Sequence, residues 1–141
     1  MNLQIDRDYL VQTLVDLVRI DSTNPNLSPD GAGEAEIGAY VADSLNDLGL
    51  AVMTYDLGPK QVNVVGRLAG KGNGRSLLLN AHMDTVGVAG MTAPFSAERR
   101  DGKLYGRGAQ DMKGSLAAQI AAAKALIDAG VELDGDLWVT A

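Results

Sequence analysis

Apolar residues recur at helical spacing in three stretches of the chain. Leu10, Leu14 and Leu17, with Val11 and Val18 beside them, follow the acidic Asp6 and predict a first helix behind a carboxylate N-cap. Ile37, Val41, Leu45 and Leu48 stack on one face of a second helix, and Gly49 supplies the left-handed residue that favours its end. Leu116, Ile120, Ala123 and Ile127 do the same in an Ala-rich third helix over 115–129, closed by Gly130. Between the first two helices, residues 21–33 (DSTNPNLSPDGAG) collect turn formers and predict an exposed loop.

Shorter apolar runs predict the strands. Residues 50–55 form one, and 62–68 and 77–81 are two more, separated by the Gly-rich AGKGNGR, so these two are expected to pair as an antiparallel hairpin. The run LLLNA is nearly unbroken in apolarity, which predicts a central strand covered on both faces. Residues 85–101 are irregular, include Pro94, and are expected to be a loop carrying part of a substrate site. The last residues, DLWVTA, open another buried strand without a turn or polar tail after it. Together these elements predict an α/β fold: a three-layer helix/sheet/helix sandwich with a mixed sheet, incomplete at the C-terminus.

Composition narrows the function. A chain of 141 residues with 46% hydrophobic positions fits one globular core. The formal charge of -6 repels a phosphate backbone, so no nucleic-acid partner is expected. Without cysteine there is no disulfide, no thiolate cage and no cysteine nucleophile, and any metal must be held by His, carboxylates and water. The N-terminal MNLQIDRDYL lacks the basic start and apolar run of a signal peptide, and no stretch has the length of a membrane span; a cytoplasmic protein without a membrane partner is expected.

Two clusters carry candidate chemistry. His82, the single histidine, follows the apolar strand and precedes Asp84 by two residues in NAHMDT. On an extended backbone those side chains share one side, at the strand end where open sheets bind ligands. His82 is then either a metal ligand whose second ring nitrogen is fixed by Asp84, or a structural histidine beside a surface carboxylate. The second cluster, GRGAQDMKGS, delivers Asp111 just before the third helix. Asp111 reads either as the N-cap of that helix or as a metal-bridging carboxylate. A phosphate loop is excluded by spacing, since Lys113 is followed by Gly114 instead of Ser or Thr, and Lys113 reads as a solvated or structural group.

The order of LVRIDSTNP, LLLNAHMDTV, APF and DGKLYGRGAQDMKGSLAA resembles the co-catalytic zinc aminoacylases and peptidases, among them acetylornithine deacetylase, succinyl-diaminopimelate desuccinylase and glutamate carboxypeptidase. The resemblance implies His82 as a ligand of one zinc, Asp84 as the catalytic carboxylate that orients its ring, and Asp111 as the bridge between two metal ions. Cobalt or manganese are the alternatives to zinc. It further implies hydrolysis of an amide in a small N-acyl amino acid or peptide substrate, by water activated at the metals. A cis peptide between Asp111 and Met112 is also implied. Gln110, Ser115 and the missing Trp before Pro94 depart from the family's usual pattern. The family's general-base Glu, its remaining ligands and a lid domain used for dimerisation lie downstream of the matched motifs. Residues 1–141 are therefore expected to be the N-terminal part of the catalytic metal-binding domain, inactive alone, within a protein that forms a homodimer. The alternative is a non-catalytic binding or scaffold protein that keeps the fold.

Overall fold

The computed structural model describes residues 3–141. Three helices are present among them: α1 (Arg7–Arg19), α2 (Ala35–Asp47) and α3 (Gly114–Asp128). Asp6 caps α1, its carboxylate accepting the Tyr9 N–H at 3.0 Å. Gly49 follows α2 at φ 84° and Gly130 follows α3 at φ 60°, the left-handed conformation expected at both ends. The strands are β1 (Ala51–Gly58), β2 (Gln61–Leu68), β3 (Leu77–Asn80), β4 (Glu98–Arg100), β5 (Lys103–Tyr105) and β6 (Leu137–Thr140).

Four strands form a mixed sheet in the order β1-β2-β6-β3. β1 and β2 are the hairpin, antiparallel with Val52 opposite Gly66 and Thr54 opposite Val64. The expected hairpin between 62–68 and 77–81 does not form. β6 lies between those two strands, antiparallel to β2 and parallel to β3. The reason lies in the Gly-rich connection, which does not turn back but runs beside residues 132–135. Lys71 and Asn73 donate their N–H groups to the carbonyls of Leu133 and Asp134 at 2.8 and 2.9 Å. A Cβ on Gly70 would strike the Gly135 backbone, and one on Gly135 would strike Arg75 O. The glycines serve this close approach of two backbones. Gly135→Ala is expected to destabilise the fold by about 1–3 kcal/mol, the usual cost of overpacking, read as a lower midpoint in chemical denaturation.

One core joins all three helices to one face of the sheet. Leu17 of α1, Ile37, Val41 and Leu45 of α2, and Leu116, Ile120 and Ala123 of α3 are buried together with Val64, Leu137 and Val139. Gly66 lets Leu45 and Leu50 lie directly on the sheet, where a Cβ would sit 2.9 Å from Leu45 Cδ1. The residues that alternate to the other face behave differently. Met53, Tyr55 and Leu78 are exposed, and Arg67 covers the Trp138 ring at 5.6 Å. β3 is consequently an edge strand among the described residues, with Leu77 and Leu78 exposed, not the doubly covered central strand that its apolarity suggests. Continuous apolarity registers that both faces suit burial; it does not register how much chain is available to cover them.

Residues 85–101 also differ from expectation at their end. Glu98–Arg100 pairs with Lys103–Tyr105 in a second, two-stranded sheet. Its turn is Asp101-Gly102, with φ of 53° and 72°, the positive pair that hairpin turns require.

Candidate functional site

Beyond β3 the chain stays extended. Ala81, Met83 and Thr85 are buried, so His82 and Asp84 emerge together on the opposite side. The segment is held from below by the loop after α1. Thr23 forms a single parallel bridge with Thr85, in which Asn24 N–H donates to Thr85 O at 2.8 Å and Thr85 N–H to Ser22 O at 2.9 Å. Ser22 Oγ donates to Met83 O at 2.8 Å. The loop 21–33 is therefore not simply exposed: Ser22 and Thr23 are buried in this zipper, where Ser22 meets the distant segment through both its hydroxyl and its carbonyl.

Asp111 arrives from the other direction. The irregular turn Ala109–Lys113 connects β5 to α3, with Asp111 and Met112 outside helical φ/ψ and a cis peptide between them, as the resemblance implied. Gly108 begins the turn at φ 79°, and a Cβ there would meet Thr85 Cγ2 at 2.7 Å. Lys113 anchors its far end. Its side chain is fully buried and Nζ donates to Ile20 O at 2.8 Å, so of the two readings, solvated or structural, Lys113 takes the structural one. Burial lowers its ammonium pKa from 10.5 to about 8, against the smaller opposing pull of the Asp21 carboxylate.

Asp111 does not cap α3, which has no side-chain cap at its N-terminus. Its carboxylate instead meets the histidine, with Oδ1 3.0 Å from His82 Nε2. The other ring nitrogen, Nδ1, lies 3.2 Å from Asp84 Oδ1 and 3.0 Å from the Asp84 carbonyl. His82 N–H also donates to Met112 Sδ at 3.3 Å, tying the strand end to the turn. His82, Asp84 and Asp111 are thus brought to one place from segments 29 residues apart.

Both ring nitrogens face acceptors, yet a neutral imidazole donates through only one. Nδ1 faces two Asp84 oxygens and Nε2 faces the Asp111 carboxylate, so one nitrogen of a neutral ring is set lone pair against oxygen. A shared cation resolves that opposition. Two ligands about 2.0–2.1 Å from a tetrahedral ion lie about 3.3 Å apart, close to the spacing of this pair. The pair fits an ion as two of its ligands. No group of three or more His, Asp or Glu side chains in metal-holding geometry occurs among the described residues.

Two further residues border the pair and went unnoticed in the sequence. Asn24 Nδ2 donates to Asp84 Oδ2 at 2.8 Å. Glu34, just before α2, is buried beside them, and desolvation together with the Asp84 carboxylate raises its pKa. A cavity of about 240 Å³ is lined by Asn24, Glu34, Leu57, His82 and Asp84 among others. Larger cavities of about 700 and 590 Å³ lie beside α2 and beside the β4–β5 turn, away from His82. The site's chemistry, not its volume, distinguishes it.

Residues 78–141 match the family model described as Peptidase family M20/M25/M40. The chain is 33% identical over 132 residues to N-formyl-4-amino-5-aminomethyl-2-methylpyrimidine deformylase of Bacillus subtilis (strain 168), covering 89% of this chain and 31% of that protein. It is 40% identical over 106 residues to succinyl-diaminopimelate desuccinylase of Delftia acidovorans, covering 70% of this chain and 27% of that protein. Among solved structures, human carnosine dipeptidase 1 superposes with a TM-score of 0.79 at 27% identity, over 95% of this chain and 31% of its own. The M20 family metallo-carboxypeptidase Sso-CP2 of Sulfolobus solfataricus does so with a TM-score of 0.79 at 26% identity, over 93% of this chain and 30% of its own. The chain thus spans less than a third of the length of these relatives. Sequence, motif order and mixed α/β architecture agree that it carries a domain of peptidase family M20/M25/M40.

Proposed function

We propose that this chain contributes part of the metal centre of an amide hydrolase whose substrates are N-acyl amino acids or short peptides. The observation that carries the reading is the meeting of His82 Nε2 and Asp111 Oδ1 at 3.0 Å with Nδ1 already engaged by Asp84. A pair of divalent ions, zinc by preference, would be held by His82 on one side and bridged by Asp111, and would supply activation of water and polarisation of the amide carbonyl. The protein's own residues prepare that role. Asp84 accepts the Nδ1 proton and thereby fixes the ring so that Nε2 faces Asp111. The Asp111 carboxylate, exposed and outside any helix cap, keeps its oxygens available. The related deformylase, desuccinylase and dipeptidase all have names that denote removal of an acyl group or cleavage of a peptide, which supports the substrate class.

With two donors in place, the 141 residues alone are proposed to bind an ion without measurable turnover, which needs a positioned base as well. Elemental analysis of the gene product in its natural length, beside assays on N-acyl amino acids, N-formyl amines and dipeptides, tests the reading. Two divalent ions per chain and turnover of at least one amide class are expected. Loss of all metal on purification with no turnover would leave the second reading, a non-catalytic binding protein of the same fold, favoured by the lack of a three-ligand group among the described residues.

A further inference from the structure

We propose that the cavity lined by Glu34 and Asp84 is a subsite for a primary ammonium group of the substrate, with Glu34 as its anionic anchor. The inference rests on the reading of the metal centre given above and narrows its substrates to short peptides with a free amino end. Glu34 is 7% exposed and lines the cavity of about 240 Å³ beside His82. Its backbone is held, the N–H donating to Lys60 O at 2.7 Å. Its carboxylate is not: among the described residues, no other residue supplies it with a hydrogen bond or a cation. Burial and the Asp84 carboxylate both act against its charge. A carboxylate buried in this state costs free energy that a bound cation would offset.

The other polar groups of the cavity are acceptors or are already engaged. Asp84 Oδ2 receives Asn24 Nδ2 at 2.8 Å, and Oδ1 faces His82 Nδ1 at 3.2 Å. Asn24 Oδ1 in turn accepts the Asn26 N–H at 2.8 Å. Gln61 and Asn63 of β2 line the same cavity and add two amide oxygens. Among the described residues no lysine or arginine lines it, and Lys60, next to Gln61, spends its ammonium on Gly31 O at 2.9 Å. The wall is therefore negative and rich in acceptors. A primary ammonium brings one charge and three donors, which one carboxylate and two amide oxygens can satisfy. A divalent ion would need a group of three metal-holding side chains, which does not occur among the described residues. The volume suits a head group, since whole ligands of peptide size need more. His82 lines the same cavity, so an amine seated there lies next to the proposed metal pair.

Glycinamide and its neutral N-acetyl form are the probes. In the ¹⁵N-labelled full chain, metal-free and at neutral pH, glycinamide should shift the side-chain NH₂ signals of Gln61 and Asn63 saturably, and N-acetylglycinamide should not. Glu34→Gln keeps the shape and removes the charge. Its affinity for glycinamide should fall about tenfold or more, the scale of a lost charge-assisted hydrogen bond, with the circular dichroism of the parent. Parental affinity in Glu34→Gln, or a parent that does not prefer glycinamide to its N-acetyl form, would overturn the proposal. In the gene product of natural length, the same substitution should lower the ratio of kcat/KM for a free dipeptide over its N-acetylated form by a similar factor, and an unmoved ratio would also overturn it. Because amine binding is read without metal or turnover, a failure to hydrolyse any amide would count against the metal centre alone.

Discussion

His82→Ala is expected to lower zinc affinity by more than about 100-fold, beyond the 10- to 100-fold range typical of groups that only orient a ligand. The argument rests on what each neighbour can replace. Removing the imidazole deletes Nε2, one of two donors that face each other at 3.0 Å, and no other side chain of the described residues completes a metal-holding group in its place. Asp84→Asn is the natural comparison. It leaves the imidazole in place and retains an oxygen for Nδ1, so the loss should stay within 10- to 100-fold. Titration calorimetry, or competition with a chromophoric chelator, measures both. His82 is half exposed, so neither change should disturb the core, and circular dichroism should be unaltered. Parental affinity in His82→Ala would remove it from the ligand set.

The second large effect concerns stability and comes from Lys113. Its ammonium pKa is about 8 in the folded chain and ordinarily 10.5, because burial disfavours the charge. Between those values the unfolded chain binds more protons than the folded one, so stability must rise with pH across that window. Below about pH 8 both states are protonated and the cost of the buried charge is constant. The gap corresponds to about 3 kcal/mol, a large share of an ordinary folding free energy. Tyr9 and Tyr40 act oppositely at higher pH, since burial raises both phenols and their ionisation favours the unfolded chain. The rise is therefore best read from pH 8 to 10. In Lys113→Met the rise should vanish, while the loss of the bond to Ile20 O costs about 1–3 kcal/mol for the stranded carbonyl. Urea denaturation of both proteins across this pH range checks the prediction, and identical slopes would reject it.

Local features of the fold were legible because their causes are local. The apolar spacing of Leu10 to Val18, the Asp6 cap and the left-handed glycines at 49 and 130 depend on neighbours within a turn or two. The shared side of His82 and Asp84 follows from strand geometry in the same way. Strand pairing is decided elsewhere. β6 inserts between β2 and β3 from about 60 residues away, and the Gly-rich segment read as a turn owes its composition to that remote partner. Asp101-Gly102 is a local turn signal set within an irregular stretch. Asn24 and Glu34 left no comparable mark: one lay among turn formers and the other before a helix. Their proximity to Asp84 arises only when the loop after α1 closes on the segment beyond β3. Whether Lys113 is solvated or structural was not legible locally, because nothing near it in sequence indicates Ile20, 93 residues earlier.

These separations bear on how the site comes into being. Asn24 with Asp84 spans 60 residues, Ser22 with Met83 spans 61 and Ile20 with Lys113 spans 93. Closing such long loops carries an entropic cost before any contact offsets it, and topologies rich in them fold slowly. No short peptide from this chain contains both halves of the cluster, so recognition there belongs to the native ensemble alone. A ligand confined to that ensemble shifts the folding equilibrium by mass action, and occupancy and cooperativity become two measures of one transition.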